Sequence, residues 1–353
     1  MPEKNFKVGI IGAGVIADFH ALALQAMEGT ELVAAYARNQ EKSDAFSQKY
    51  GCTGYSDLKE FLLHEELEVV TIASVSGIHL EHVCASARAG KHVICEKPLE
   101  VTTERIDEMI QACQENGVIL SGIFPRRFND STAIFKQAVE TGRLGKIVLC
   151  EVSVKWWRTQ EYYDSGAWRG TWKLDGGGAL MNQSIHTIDL MLYLMGGVHS
   201  VCAFGGLEAH HGIEVEDIAV AIVEFYSGAR GVIQASTACY SNSGLPASIH
   251  LCGDQGSIMM ADDKFSLWDL KNAQPEDEEI MTHYGIQEQA TGAGAADPKA
   301  IDFQWHQRNF EDSIDSLRRG SKPKVDGVEG RRAVELINAI YRSIDQDGAK
   351  IIL

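Results

Sequence analysis

Basic residues are scarce in this 353-residue chain, which has 32 Lys and Arg against 49 Asp and Glu and a formal net charge of −17. A surface this acidic repels phosphate backbones and anionic lipids, so we expect neither nucleic acid nor a membrane as a partner. The sequence also lacks any apolar run approaching the roughly 18 residues that a membrane span needs. Its polar first residues contain no charged-then-apolar leader, and we therefore expect a soluble, cytoplasmic protein.

Paired cysteine motifs are also missing. Eight cysteines are scattered along the chain and no two form C-x-x-C. Several lie in apolar runs, which is typical of reduced core cysteines in a reducing compartment. We therefore predict no metal site. With 45% hydrophobic residues, a chain of this length can bury two ordinary cores, which favours two domains.

The order of strand and helix patterns indicates the fold class. Strands and helices alternate through residues 1–124, which is typical of a parallel sheet with crossover helices. Long strand-like runs joined by short turns follow, and they indicate an open, mostly antiparallel sheet. Helical patterns at 303–319 and 328–345 close the chain. We predict an α/β domain over 1–124, an α+β domain over 125–353, and a loop over 276–297.

A glycine-rich turn, Gly12-Ala13-Gly14-Val15-Ile16-Ala17, joins the first apolar strand to a helical pattern. Glycines let the backbone approach a pyrophosphate, and the N–H groups at a helix start bind its oxygens. We expect Gly12, Gly14, Val15 and Ile16 to contact the cofactor. In this position the motif predicts a Rossmann dinucleotide site rather than an ordinary glycine turn.

The end of the second strand bears on the choice of dinucleotide. NAD-preferring Rossmann domains place an acidic residue there to bind the ribose 2′-OH, but this chain has Ala37 followed by Arg38. An arginine suits a 2′-phosphate or stacks on adenine. We favour NADP over NAD, and the alternative is a solvent-facing Arg38 with NAD held elsewhere.

Glu96-Lys97-Pro98 ends the fourth strand of the first domain. Ligands of open parallel sheets gather at the carboxyl ends of strands. Lys97 is therefore placed as a proton donor or relay, or as a hydrogen-bond donor to a reacting oxygen. An arbitrary lysine would be a surface residue, but this position favours a role in chemistry.

A second glycine run, Gly176-Gly177-Gly178, opens a helical pattern that carries Asn182, His186 and Asp189. Their spacing places the three side chains on one helix face, and the glycines would let a ligand approach the helix start. His186 is the natural acid–base group, because the ordinary pKa of histidine lies near neutrality. We expect Asp189 to orient the imidazole or anchor the helix.

With these motifs the sequence resembles the glucose–fructose oxidoreductase, inositol dehydrogenase and rhizopine catabolism (Gfo/Idh/MocA) family, from the glycine turn to the Asp326–Leu336 segment. The resemblance implies an N-terminal Rossmann domain and a C-terminal domain whose open sheet often forms the oligomer interface. It also implies NAD(P)-dependent hydride transfer at a carbinol carbon of a sugar, cyclitol or nucleotide sugar, and a homo-oligomer such as a dimer or tetramer.

The family also implies roles for particular residues. Lys97 matches the lysine of the family's Glu-Lys-Pro motif, and His186 matches its catalytic histidine, which usually accepts the proton of the substrate hydroxyl. Asn182 occupies a position that is often aspartate, and this departure removes a carboxylate next to the substrate. Ser74 and His79 resemble a strand-end segment that borders the nicotinamide, together with Glu96 on the cofactor side.

The segment from Gln160 to Trp172 is similar to a branch of the family that includes UDP-N-acetylglucosaminuronate 3-dehydrogenases. Tryptophan and tyrosine stack on sugar faces, and arginine binds carboxylates or phosphates. The alternative is that Trp168 and Trp172 are core residues and the arginines form ion pairs. The candidate substrate-binding residues are Arg126, Tyr163, Trp168, Arg169, Asn182 and Asp189.

Two other functions fit a Rossmann scaffold. One is a non-redox enzyme that processes glycosides with a tightly bound NAD recycled in each turnover. The other is a sensor that binds a dinucleotide without catalysis. Lys97 and His186 favour a catalyst over the sensor, as does the lack of a basic DNA-reading segment.

Overall fold

The computed structural model describes residues 5–286 and 303–353. It divides the chain into two compact units. One combines Met1–Pro125 with Asp302–Arg331, and the other combines Arg126–Ile301 with Arg332–Leu353, each over its described residues. Within the described ranges, no helix has the length and apolar character needed to cross a membrane.

The first unit contains a parallel six-stranded sheet of order β3-β2-β1-β4-β5-β6. The order reverses at β1, where the chain crosses from one half of the sheet to the other, as in a Rossmann fold. The predicted parallel sheet is therefore confirmed. Its strands are β1 Phe6–Ile11, β2 Thr30–Tyr36, β3 Thr53–Tyr55, β4 Val69–Ile72, β5 His92–Cys95 and β6 Leu120–Gly122.

The helices of this unit are α1 Val15–Ala26, α2 Gln40–Tyr50, α3 Leu58–Leu62, α4 His79–Arg88, α5 Thr103–Glu115 and α10 Gln304–Arg319. The last of these follows the second sheet in the chain, and chain order predicts it in the second domain. Its residues Phe310 and Ile314 instead lie in the same buried core as Ala17 and Leu24 of α1. The pattern of apolar residues specified the helix, but it could not specify which core the helix covers.

The second unit contains an eight-stranded sheet of order β13-β12-β11-β7-β10-β9-β8-β14. All neighbouring pairs are antiparallel except β7 and β10, which run parallel. The predicted mostly antiparallel sheet is confirmed. Its strands are β7 Ile147–Lys155, β8 Val198–Gly206, β9 Ile218–Phe225, β10 Arg230–Ser236, β11 Ser248–Gly253, β12 Gly256–Ala261, β13 Lys264–Leu270 and β14 Ile351–Ile352.

The helices of this unit include α6 Asp130–Glu140, α7 Gln160–Asp164, α8 Ile185–Met195 and α9 Pro275–Tyr284, with a π-helix over Ala179–Ser184. Of these, α8 contacts β7 and β11 of the sheet, and α9 contacts β13. Helix α11, Gly327–Asp345, follows α10 in the chain. Cys150 and Val152 of β7 are buried and Glu151 between them is half-buried, whereas Val152, Ser153 and Val154 are all buried.

Helix α9 corrects the loop predicted over 276–297. Pro275 stands at its first position, and Gln274 and Asp277 form a capping box at its start. Acidic residues fill the first turn, where the helix dipole favours negative charge. These local signals outweigh the polar composition on which the loop prediction rested. The part of that prediction from 287 to 297 lies outside the described residues.

Candidate active site

The glycine turn of the first unit is shaped for a dinucleotide phosphate. Gly12 has φ +122°, and a Cβ atom there would lie 2.5 Å from the carbonyl oxygen of Ala73, so only glycine fits. Gly14 caps α1 without a side-chain hydrogen bond, and no heavy atom lies within 4 Å of its ideal Cβ position. Val15 is 54% exposed. An open helix start beside a tight turn fits a pyrophosphate group.

The end of β2 carries the two residues that bear on the choice of dinucleotide. Ala37 is buried, and Arg38 is exposed at the start of the following loop. Asn39 begins α2, and its side chain accepts a hydrogen bond from the Lys42 N–H at 2.9 Å. The loop therefore presents an arginine and no acid between the strand and the helix.

Glu96 is buried at the end of β5 and binds two histidines of its own unit. Its Oε1 atom lies 2.9 Å from Nε2 of His20 and 3.6 Å from Nε2 of His306. Its Oε2 atom accepts the backbone N–H of Lys97 at 2.9 Å. The sequence predicted that Glu96 contacts the cofactor. Within the first unit, the Glu96 carboxylate instead fixes the backbone at Lys97. The Lys97 side chain is half-buried.

The charge state of this cluster follows from its surroundings. Burial opposes ionisation of Glu96, but the hydrogen bonds from His20 and His306 outweigh it and hold its pKa well below the usual range. Burial lowers the pKa of His20, although Glu96 opposes this. A carboxylate can only accept, so neutral His20 donates from Nε2 and accepts at Nδ1 from the Thr71 hydroxyl at 2.9 Å.

His79 ties two loops of the first unit together. Its Nε2 atom lies 3.1 Å from the carbonyl oxygen of Ser74, and its Nδ1 atom lies 3.0 Å from that of Pro98. The ring is 1% exposed, so His79 presents almost no surface to a cofactor and instead fixes the segment after Lys97. The Ser74 hydroxyl lies 3.0 Å from Nδ1 of His82.

In the second unit, Asn182 lies on the π-helix rather than on the regular helix that its spacing predicts. Its Nδ2 atom donates to Oδ1 of Asp175, and its Oδ1 atom accepts from Nε2 of Gln183 at 2.8 Å. The other Asp175 oxygen accepts the Gly170 N–H at 2.9 Å. These bonds fix which end of the amide donates. A π-helical turn often marks a functional site.

His186 is half-buried at the second position of α8, and Asp189 lies one turn further on. The Asp189 oxygens accept from Nε and Nη2 of Arg127 at 2.8 and 2.6 Å. Each of these two side chains is 1% exposed. The geometry matches the anchoring role expected for Asp189 and leaves it almost no surface for the substrate contact also predicted.

Two arginines contact Tyr162 in the second unit. The Arg169 guanidinium carbon lies 4.3 Å from the ring centroid, and Nη1 donates to the tyrosine oxygen at 2.8 Å. The Arg158 guanidinium carbon lies 5.6 Å from the same centroid and its Nη2 donates to Oε1 of Gln183 at 2.9 Å. Arg169 also stacks on Trp168 at 4.5 Å. We call Arg158, Tyr162 and Arg169 the arginine–tyrosine cluster. It places two positive charges beside aromatic rings.

Two predicted substrate residues have internal partners. The hydroxyl of Tyr163, which is buried, lies 2.8 Å from Oγ1 of Thr237. Arg126 donates to Asp263 at 2.8 Å and to Thr187 at 2.9 Å. The ion-pair alternative considered for the arginines therefore describes Arg126, whereas Arg169 stacks on aromatic rings.

Sequence reasoning did not select Arg158, Tyr162, Gln183 or Asp175 as site residues. Arg158 follows two tryptophans and Asp175 precedes the glycine run, so each carried a local signal. Gln183 binds Arg158 and Tyr162 from more than twenty residues away in the chain, and a single sequence does not reveal this pairing. Among residues 5–286 and 303–353, no group of three or more His, Cys, Asp or Glu side chains is placed to hold a metal ion.

Comparison with known proteins identifies the family. Residues 6–124 match the model of an oxidoreductase family with an NAD-binding Rossmann fold, and residues 133–259 match the Gfo/Idh/MocA C-terminal domain. The chain belongs to the Gfo/Idh/MocA family. It is therefore an oxidoreductase that uses a nicotinamide dinucleotide, and the predicted family and enzyme class are confirmed.

Relatives with established names span the whole chain. Myo-inositol 2-dehydrogenase of Thermotoga maritima is 27% identical over 96% of both chains. D-glucoside 3-dehydrogenase of Escherichia coli is 26% identical and covers 98% of this chain and 97% of its own. The WlbA dehydrogenase from Bordetella pertussis, solved in complex with NADH and UDP-GlcNAcA, is 32% identical over 99% of both chains with a TM-score of 0.87.

Proposed function

We propose that this oxidoreductase acts on a hydroxyl-bearing carbon of an anionic sugar, with a nucleotide-linked uronate as the favoured substrate. The arginine–tyrosine cluster carries the proposal. Guanidinium groups bind carboxylates and phosphates through paired hydrogen bonds, and aromatic rings stack on sugar faces. The complex of the WlbA relative with UDP-GlcNAcA supports the same substrate class.

Lys97 and His186 are the proposed catalytic residues. The bound nicotinamide accepts or supplies the hydride. His186 takes the hydroxyl proton during oxidation and returns it during reduction, and Lys97 donates a hydrogen bond to the reacting oxygen. Asn182, whose amide Asp175 holds in one orientation, borders the substrate in this proposal.

The catalytic roles are tested with Lys97→Ala and His186→Ala, each assayed for turnover and for cofactor affinity. We expect each variant to lose about a hundredfold or more in kcat while it still binds dinucleotide. Unchanged turnover in both variants would contradict the assignment.

The proposed substrate class is tested with a matched pair of sugars. UDP-N-acetylglucosaminuronate and UDP-N-acetylglucosamine differ only in the carboxylate, and turnover is followed by nicotinamide absorbance. We expect the uronate to be favoured, and Arg169→Ala to reduce this preference by about tenfold or more, since a charge-assisted hydrogen bond contributes roughly 1.5–3 kcal/mol. Equal turnover of both sugars would contradict the proposal, and preference for myo-inositol would redirect it to cyclitols.

We propose NADP as the preferred cofactor, with the glycine turn at the pyrophosphate, Ala37 and Arg38 at the adenosine ribose, and Ser74 and Lys97 toward the nicotinamide. Arg38 supports this preference because it is exposed where an acid would repel a 2′-phosphate. The measurement is the Kd of NAD and NADP for the wild type and Arg38→Ala. A clear NAD preference that Arg38→Ala leaves unchanged would reject the 2′-phosphate role.

We further propose a homo-oligomer, a dimer or tetramer, assembled through the open face of the second sheet. Apolar side chains are exposed on this face: Phe204 of β8 by 69%, Ile222 and Val220 of the neighbouring β9 by 60% and 44%, and Leu149 of β7 by 41%. An exposed apolar face of this kind marks an association surface. Light scattering should report an oligomer for the wild type and a smaller species for Ile222→Lys. A monomeric wild type would reject this interface.

A cytoplasmic location is the last part of the proposal. All eight cysteines are free thiols, and four of them are buried. Reduced buried cysteines suit a reducing compartment. Fractionation of the source cells with an antibody to the protein tests this directly.

A further inference from the structure

The helix that carries His186 begins in an unusual way. A helix start leaves its first backbone N–H groups without partners inside the helix, and they are commonly met by a nearby polar side chain. Here the π-helix follows Gly178, and Gly178 is its N-cap without a side-chain hydrogen bond. The partners of these N–H groups come from Glu216, just before β9, and from Tyr341 on α11.

Glu216 and Tyr341 together meet four consecutive N–H groups, those of residues 178–181. The Glu216 carboxylate accepts the Gly178 N–H through Oε2 at 3.0 Å and the Leu180 N–H through Oε1 at 2.8 Å. The Glu216 carbonyl oxygen accepts the Ala179 N–H at 3.1 Å. The Tyr341 hydroxyl has a hydrogen bond with the Met181 backbone, and it donates to Oε1 of Glu216 at 3.2 Å.

The glycine run leaves room for these two residues, because a side chain at Gly177 or Gly178 would overlap with them. A Cβ atom on Gly178 would lie 1.8 Å from the Glu216 carbonyl oxygen, and one on Gly177 would lie 2.0 Å from the Tyr341 hydroxyl oxygen. The close approach that the glycines allow is therefore made by the protein itself. This differs from the ligand approach that the sequence predicted.

The pattern of donors and acceptors favours an ionised carboxylate. Every group that contacts the Glu216 oxygens is a donor: the N–H of Gly178, the N–H of Leu180 and the hydroxyl of Tyr341. A proton on Oε2 would face the Gly178 N–H, and a proton on Oε1 would compete with the Leu180 N–H. Only the Tyr341 hydroxyl can turn to accept. Protonation of Glu216 therefore weakens its bonds to the helix start, because a neutral carboxyl group accepts N–H bonds less strongly than a carboxylate does.

Both charge states of Glu216 are accessible near neutrality. Burial raises its pKa to about 7, although the N–H groups and Tyr341 oppose this. Burial raises the pKa of Tyr163 on α7, and the charge of Glu216 adds to this increase. A cavity of about 130 Å³ borders Glu216 and is lined by Trp172, Glu214, Tyr341 and Asp345 among others.

We propose that Glu216 is a positioning residue of the reaction: as a carboxylate it fixes the start of the π-helix, and its protonation releases this segment and lowers the rate. Its effect on catalysis rests on the proposed function, because it acts through Asn182 and His186. Its effect on the helix start does not.

The test combines hydrogen exchange with kinetics on the full-length protein. Exchange of the amides of residues 178–181 is measured without substrate, roughly one unit below and above the Glu216 pKa of about 7, after correction for intrinsic rates. We expect wild-type protection to rise with pH and Glu216→Gln to lack this rise. Glu214→Gln is the matched control, because it removes an exposed acid two residues away, and it should behave as the wild type.

In the kinetic arm, Glu216→Gln should lower kcat/KM by about tenfold to a hundredfold and remove the limb of the pH profile near 7. Protection in the wild type that is the same at both pH values would overturn the proposal. So would a Glu216→Gln variant with the wild-type protection and pH profile. If that variant does not fold, the wild-type exchange comparison decides alone. If no tested sugar is turned over, the proposed function fails while the exchange result still stands.

Discussion

Removal of the Asp189 carboxylate should destabilise the second unit strongly. Asp189 and Arg127 form a two-bond ion pair at 2.8 and 2.6 Å, and each side chain is 1% exposed. Asp189→Ala leaves the guanidinium charge buried without this carboxylate. Loss of one partner of a buried pair typically costs about 3–5 kcal/mol. At roughly 2–4 °C per kcal/mol for units of this size, the Tm should fall by about 6–20 °C.

The assay is urea and thermal unfolding followed by circular dichroism, with two comparisons. Asp315→Ala removes a pair with Arg318 in which Asp315 is 48% exposed, and it should change stability by no more than about 1 kcal/mol. The double variant Arg127→Met, Asp189→Leu replaces both charges by apolar groups and should cost much less than Asp189→Ala. The reasoning is refuted if Asp189→Ala costs less than about 1 kcal/mol, or if the double variant is no better than the single one.

The same variant separates two roles for Asp189. An anchoring residue lowers stability while the KM of the folded enzyme for its sugar stays near the wild-type value. A substrate-binding residue raises KM with little effect on stability. We expect the first result, because the carboxylate faces Arg127 and is buried.

Three further predictions concern other sites. Gly12→Ala should abolish dinucleotide binding in a fluorescence titration, because its Cβ would lie 2.5 Å from the Ala73 carbonyl oxygen at φ +122°; normal affinity would contradict this. Glu96→Ala should cost about 2–5 kcal/mol in urea unfolding, since His20 and the Lys97 N–H lose a buried acceptor. Burial raises the pKa of Glu216 from 4.5 to about 7, so its contribution to the stability of the whole fold is full below 4.5 and is lost as pH rises through 7. This trend is opposite to that of local opening at the helix start, because global unfolding returns the carboxylate to water whereas local opening only removes its N–H donors. Wild-type stability should therefore fall by up to about 3 kcal/mol across that window relative to Glu216→Gln.

Much of the fold was predictable because strand patterns are local. Apolar runs and turn residues located β1 and six strands of the second sheet, β7 to β12, to within a few residues, whereas β13 and β14 were missed. The change of rhythm near residue 125 separated two sheet types. The parallel pairing of β7 with β10 was not predictable. A strand's partner is set by packing between distant segments, and one sequence contains no direct record of it.

The residues of the candidate site were likewise predictable only in part. The glycine turn, Glu96-Lys97 and His186 stood in patterns whose chemistry can be recognised locally. Glu216 did not, because its role depends on N–H groups some forty positions earlier in the chain. The π-helix was also hidden, since residues 179–184 keep a spacing that suits an ordinary helix.

Two consecutive acids before β9 organise different parts of the second unit. Glu216 binds the start of the π-helix. Asp217 accepts the N–H groups of residues 208–210 and lies 2.9 Å from Nδ1 of His210, whose Nε2 lies 2.7 Å from the Arg158 carbonyl oxygen. Neighbouring side chains on an extended backbone point to opposite sides. These two acids therefore hold both the π-helix that contains Asn182 and the segment after β7 that contains Arg158. Neither acid needs to touch the substrate to do so.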